Sequence, residues 1–154
     1  MDHHNLFLSR GTYNLLRLDH LVILVVLTVM LFAHWCEVNW FNFTAAFLWP
    51  DIVGTLPGMY WYYARTTGDR RSIPAVFHVL YNIGHSFTIV AVITGLWYFA
   101  AGGWEWAMLA LPIHLFGDRS LFGNIYKPLG RSFEPAPHPA FVRFYEEYER
   151  GGRW

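Results

Sequence analysis

The sequence predicts an all-α integral membrane protein: a bundle of four transmembrane helices over residues 1–130, with a short soluble C-terminal tail over residues 131–154. Three observations carry that prediction. Hydrophobic residues make up 55% of the chain and charged residues only 14%, where a soluble domain carries about a quarter. The apolar residues gather into four runs, each long enough to cross a hydrocarbon core of about 30 Å at about 1.5 Å per residue. Lysine and arginine fall before run one, between runs two and three, and after run four, and are missing from the other two connections. That asymmetry predicts both termini on the cytoplasmic side of an inner membrane.

Run one covers residues 18–35 and is dense in Leu and Val, with Arg17, Asp19 and His20 at its start. Run two covers residues 40–64 and contains Pro50-Asp51, Gly54, Pro57 and Gly58. Proline and glycine bend or open a membrane helix where neighbours can satisfy the freed backbone. The run ends in Tyr60-Trp-Tyr-Tyr63, which suits the aromatic belt at a membrane interface. A polar turn through Arg65, Arg70 and Arg71 leads to Pro74, placed for the first turn of run three. Run three covers residues 73–101 and carries His78, Asn82, His85 and Ser86. Gly102-Gly103 turns the chain into run four, residues 104–122. Beyond Lys127 the chain is soluble in character. Pro135, Pro137 and Pro139 extend it, and residues 141–148 suit one short amphipathic helix. With three prolines and few residues to bury, the chain after Ser132 is expected to be dispensable for the bundle.

A formal net charge of zero gives no basic field for nucleic acid. The single cysteine, Cys36, excludes an internal disulfide and a multi-cysteine metal site. Trp35 before it is too bulky for a lipoprotein cleavage site, and the first residues lack a basic region, so the N-terminus reads as retained.

Ionisable groups inside a membrane are costly and need a partner or a task. Counting depth by helix rise, Asp51 lies about 16 Å from the outer face. His85 falls near mid-membrane with His78 two turns below it on the same face and Asn82 between. His114 falls near the midplane, and Asp118, four residues on, shares its face. Asp51, His78, His85, His114 and Asp118 are therefore expected to converge in the inner half of the bundle, with Asp19 and His20 near that level. Imidazoles and carboxylates on facing helices are the material of bundle-core sites for a divalent metal, zinc first among them. The plainer alternatives are a hydrogen-bonded network, a helix kink at Pro50-Asp51, and an ordinary cytoplasmic anchor at Arg119.

Pro50-Asp51, His85-Ser86 and His114 with Asp118 resemble the pattern of small bacterial membrane-bound metal-dependent hydrolases: P-D-x-D, then H-R-x-x-T-H-S, then H-x-x-x-D. Val53 and Gly54 stand where that pattern has its second aspartate. Pro50-Asp51, Tyr81-Asn82-Ile-Gly-His85 and His114-Leu-Phe-Gly-Asp118-Arg119-Ser-Leu-Phe-Gly123 resemble a second family, of small bacterial integral-membrane proteins of unknown activity, over residues 15–130. The first resemblance implies a hydrolytic metal site, the second a fold and a site without a reaction.

The leading expectation is a membrane metalloenzyme of hydrolase type acting on a lipidic substrate. Asp51, His85, His114 and Asp118 would hold the metal, His78 or His20 would serve as general base, and Arg119 would steer a phosphate headgroup. Two alternatives stand beside it. One is a haem or pigment protein with His85 and His114 as axial ligands. The other is a non-catalytic subunit of a larger membrane complex, or a homo-oligomer, docking through the tail around Phe144 to Glu147.

Overall fold

The computed structural model describes residues 10–67, 73–129, 132–134 and 138–151, and among them every regular element is a helix. The first nine residues, most of the polar turn before Pro74, and Pro135 and Pro137 lie outside the described residues.

The straightest element is α1 (Arg10–Ala33), 24 residues without a break. Among the described residues it is the one helix that alone is long and apolar enough to cross a membrane. Such length and composition serve membrane spans, signal sequences and buried core helices alike. Here α1 is no core helix, because Val22, Val25, Val26, Val29 and Phe32 are all more than half exposed.

Run two is one long rod with changing winding. It starts as α2 (Trp40–Pro50), where the Asn39 side chain accepts a hydrogen bond from the Asn42 amide at 3.1 Å and caps the helix. It widens to a π-helical segment at Asp51–Thr55, returns as α3 (Leu56–Tyr60), and widens again at Trp61–Arg65. Pro50 and Pro57 have no N–H to give to the regular ladder, and π-helical turns are one way a helix absorbs that loss.

Run three, expected as one helix, is two: α4 (Ala75–Gly84) and α5 (Phe87–Ala101), bent by 57° at His85 and Ser86. Together they would make a second membrane-crossing unit. The bend has a local cause. Ser86 takes an extended conformation ahead of α5, and α4 ends on Gly84, pressed against the Pro50 carbonyl. A Cβ on Gly84 would lie 3.2 Å from that oxygen, and a Cβ on Gly54 would lie 2.7 Å from the Tyr81 Cα. The two rods cross with their backbones in contact, and Gly54 stands at that crossing.

Run four opens as a 3-10 turn (Trp106–Leu109), continues as α6 (Ala110–Gly117), and ends as a third π-helical segment (Asp118–Phe122). α6 is the axis of the bundle. Met108, Ala110, Leu111 and Leu115 are almost wholly buried, and α1, α2 and α5 pack around them. Gly123 closes the run at φ +74°, a left-handed conformation that favours glycine. α1 ties down that end: Arg17 donates to the Ser120 and Leu121 carbonyls at 2.8 and 2.7 Å, and Tyr13 Oη donates to the Gly123 carbonyl at 3.0 Å. Carbonyls left over at a helix end are thereby satisfied.

The tail departs from expectation. Phe133 is 0% exposed. Its ring fills the space over Gly58 and packs with Ile73 and Tyr81. Asn82 holds the approach to it, donating to the Lys127 carbonyl at 2.9 Å and accepting from the Lys127 amide at 2.8 Å, and Lys127 pairs with Glu134. Asn82 thus faces this strap. The reason for the correction is volume: Gly58 leaves a hole that only a residue distant in sequence fills. Beyond it, α7 (Pro139–Gly151) is exposed and amphipathic, and its Glu149 carboxylate accepts a hydrogen bond from the Arg10 amide at 3.1 Å.

Candidate metal centre

Three of the four residues of the site sit where a helix is irregular. Asp51 begins the first π-helical segment, His85 stands at the α4–α5 break, and Asp118 begins the segment after α6. His114 lies on α6, one turn before Asp118. Irregular winding of this kind re-aims side chains and is frequent at functional sites.

The four side chains meet. Asp118 Oδ2 lies 3.3 Å from His85 Nε2 and 3.9 Å from His114 Nε2. Asp51 Oδ1 lies 3.7 Å from His85 Nε2, and its Oδ2 lies 3.9 Å from His114 Nε2. Ligand atoms of Asp51, His85 and His114 all fall within 4.8 Å of one another, and this group could hold a metal ion. The imidazoles are buried, at 3% and 4% exposure, whereas the Asp51 carboxylate is 41% exposed and gives the site an open side.

The orientation of His85 sharpens the point. Its Nδ1 lies 2.9 Å from the Tyr81 carbonyl, which can only accept, so Nδ1 carries a proton. In the neutral ring Nε2 then presents a lone pair, and it presents it to two carboxylates. Among the described residues no well-formed hydrogen bond reaches Nε2 of His85 or of His114. Lone pairs facing carboxylates repel, unless a cation lies between them or the ring is itself protonated. The separations suit a shared ion: ligands about 2.1 Å from a tetrahedral metal stand roughly 3.4 Å apart. No lysine or arginine among the described residues forms an ion pair with Asp51 or Asp118.

Supporting residues fix these ligands. Thr55 Oγ1 donates to Asp51 Oδ1 at 2.7 Å from one turn on. The Tyr81 ring stacks on His85 at 4.0 Å with an 8° interplanar angle. Phe47 packs edge-on against His114 at 5.0 Å. Thr55 escapes the motif reading, whereas Tyr81 heads the Tyr81-Asn82-Ile-Gly-His85 motif; the spacing of four from Asp51 and from His85 is the signal for both, because one helical turn brings such pairs together.

Three other expected participants have different surroundings. His78 packs edge-on against Phe133 at 5.3 Å, on the side of the tail. His20 donates from Nδ1 to the Leu16 carbonyl at 2.6 Å and lies beside Phe116. Arg119 is turned to the helix break: it donates to the His85 carbonyl and to Tyr126 Oη, both at 3.3 Å, and its guanidinium lies 4.0 Å over the Phe87 ring. It satisfies the carbonyl that the α4–α5 bend leaves without a helical partner, and so holds the backbone of a candidate ligand. Compared with protein-family models, curated proteins and solved structures, the chain gives no match.

Proposed function

We propose that this protein is a membrane-embedded, metal-dependent hydrolase whose substrate is a lipid or another long-chain amphiphile. The observation that carries the reading is the convergence of His85 Nε2 and His114 Nε2 on the carboxylates of Asp51 and Asp118. Two imidazoles and one carboxylate are the ligand set of hydrolytic zinc sites, which keep a further position open. Asp51, His85 and His114 supply that set, and Asp51 lies on the accessible side.

A divalent metal bound there, zinc by this donor set, supplies Lewis acidity and brings the pKa of a bound water toward neutrality. The remaining chemistry belongs to the chain. In hydrolysis of an ester or phosphodiester, the oxygen of water bonds to the acyl or phosphoryl centre while the bond to the leaving oxygen breaks. Asp118, beside both imidazoles, takes the proton of that water and returns it to the leaving oxygen. Thr55 orients Asp51, and the Tyr81 carbonyl fixes the His85 tautomer.

The membrane setting extends the same reading: four spans, formed by α1, the rod 40–65, the bent pair α4–α5, and the rod 106–122, with both termini cytoplasmic. It is supported by the placement of basic residues and by the exposed apolar surface of α1 and α5. Reporter fusions after Asn39 and after Gly103 should read as external, and a cytoplasmic signal at either would overturn it. The haem alternative fits less well, because carboxylates within 3.9 Å of both Nε2 atoms fill the space a porphyrin plane needs. The subunit alternative draws on the exposed Phe141, Phe144 and Tyr148 of α7.

The test is bound metal per chain after purification without chelator, followed by reconstitution with zinc. The wild type should hold one ion, and Asp51→Asn and His114→Gln should each lose it. A wild type that takes up no divalent ion would end the metalloenzyme reading.

A further inference from the structure

We propose that Phe133 and Lys127 are positioning residues for His85: through the Tyr81 ring, the C-terminal strap fixes the angle at which the imidazole faces Asp51, His114 and Asp118. That this angle serves a metal rests on the metal-site reading. The strap then has a task beyond filling the space over Gly58.

His85 is held from behind by one residue. The Tyr81 carbonyl accepts from Nδ1 at 2.9 Å, and the Tyr81 ring lies almost parallel to the imidazole, 4.0 Å from centre to centre at 8°. Whatever fixes Tyr81 therefore fixes His85. The Tyr81 backbone belongs to α4 and is crossed by Gly54 too closely to admit a Cβ there. Its side chain is buried. Among the described residues no hydrogen bond reaches its hydroxyl, so packing sets the plane of the ring. The strap supplies that packing. Phe133 meets the Tyr81 ring edge-on, 5.8 Å from centre to centre at 88°, and Lys127 Nζ lies over it, 5.2 Å from its centre.

Three observations separate positioning from mere filling. First, the space over Gly58 asks only for an apolar side chain, yet the strap brings a cation as well. Lys127 Nζ lies 4.7 Å from the centre of the Phe133 ring and pairs with Glu134. A partly buried ion pair is a poor source of stability. A cation over aromatic faces depends on distance and direction, so it favours one placement of the rings. Second, the strap is registered on α4 at the residue after Tyr81: Asn82 donates to the Lys127 carbonyl and accepts from the Lys127 amide. Third, Phe133 also meets α4 one turn before Tyr81, edge-on to His78 at 5.3 Å and 78°. The strap thus grips α4 on both sides of the residue that holds the imidazole. With the strap displaced, Tyr81 keeps its carbonyl bond but its ring is free to turn. The imidazole then loses its flat wall, and Nε2 is aimed less narrowly.

The test uses the full-length protein in detergent with isotope-labelled histidine. The first readout is the proton spectrum of the His85 ring in metal-free protein, assigned by His85→Gln. The Tyr81 ring current shifts those protons upfield, and Tyr81→Leu marks where they lie without it. The second readout is Co²⁺ affinity, followed by its visible absorption bands. Phe133→Leu and Lys127→Met keep most of the side-chain volume. Both should move the His85 protons toward their Tyr81→Leu position and weaken Co²⁺ binding about 10-fold, the lower end of what loss of outer support costs a metal site. Lys127→Arg should restore both readouts. Val38→Ala thins the cluster of Leu31 and Leu109, so it should lower the melting temperature and move neither readout. His85 protons that stay in place in both strap variants, or that Val38→Ala moves as far, overturn the positioning role, and normal Co²⁺ uptake then leaves the metal reading standing. A wild type that takes up no Co²⁺ removes the metal reading. The ring protons still decide the strap in that case: movement in both variants supports its hold on His85, and no movement overturns it.

Discussion

His85 Nε2 stands 3.3 Å from Asp118 Oδ2, while Nδ1 of the same ring is held by the Tyr81 carbonyl at 2.9 Å. The ring is thus fixed from behind and directed at a carboxylate that belongs to another helix. Asp118 is at least as close to both imidazoles as Asp51 is, so substitution has to separate a proton-transfer role from a ligand's. Asp118→Asn should retain bound metal and lose hydrolysis by about 10²–10⁴-fold, the usual range for a general acid–base group. Metal analysis beside an activity assay decides the matter: loss of the ion in Asp118→Asn would make Asp118 a ligand instead.

Thr55 touches Asp51 and no other residue of the candidate set, so any effect it has on a bound metal runs through Asp51. Thr55→Val keeps the shape and removes the hydrogen bond. Metal affinity should fall by roughly 10-fold, the lower end of what loss of such an outer partner costs. A competition titration against a chelator measures it, and unchanged affinity would free Asp51 from this constraint.

Arg119 caps the His85 carbonyl at the helix break, and its guanidinium carbon lies 4.0 Å over the Phe87 ring. Arg119→Ala leaves that carbonyl without its partner, at a cost of about 1–3 kcal/mol. Lys can reach the carbonyl but has no planar face for Phe87, so Arg119→Lys should recover only part of the stability. Thermal unfolding of the three proteins gives the order; full stability in Arg119→Ala would deny the cap any structural weight.

Gly54 and Gly95 make a matched pair. A methyl group on Gly54 meets the Tyr81 backbone at 2.7 Å, whereas on Gly95 it meets nothing within 4 Å. Gly54→Ala must push the rod 40–65 away from α4, costing about 1–3 kcal/mol and separating Asp51 from His85. Gly95→Ala should be neutral or stabilising by about 0.5–1 kcal/mol. Equal melting temperatures for the two variants would contradict the close crossing.

Phe133 predicts a sharp boundary in the tail. Truncation after Glu134 should leave a stable bundle, while truncation after Ser132 should destabilise it. Phe133→Ala should cost about 3–5 kcal/mol, as for a fully buried ring. Expression and thermal stability of the two truncations provide the comparison.

On the connection between α1 and α2, hydrogen bonds from His34 and then from Trp106 hold the Glu37 carboxyl below the usual glutamate range. A lowered carboxyl pKa means that the folded protein takes up this proton less readily than the unfolded chain does. Its contribution is complete above the ordinary value of about 4.3 and is lost as pH falls through the folded value. Melting temperature against pH should therefore drop below about pH 4 more steeply in the wild type than in Glu37→Gln.

Composition and period determined the helical class. The apolar runs fix where helices form, because their length and hydropathy leave the backbone no other way to satisfy its hydrogen bonds in an apolar setting. The sequence also marked Asp51, His85, His114 and Asp118 as polar groups in apolar surroundings, a local property. Tertiary structure decided how those groups are aimed. The break at His85 depends on Gly84 meeting Pro50 and on Arg119 reaching the freed carbonyl, contacts between residues more than thirty positions apart. An even longer stretch of sequence separates Gly58 from the Phe133 that fills its space, and periodicity within one segment carries no information about it. His78 and Asn82 show the limit most plainly. Helical spacing puts them near the His85 face, but a few tens of degrees around the axis assign them to the Phe133 and Lys127 strap, and only the packing of neighbouring rods sets that angle.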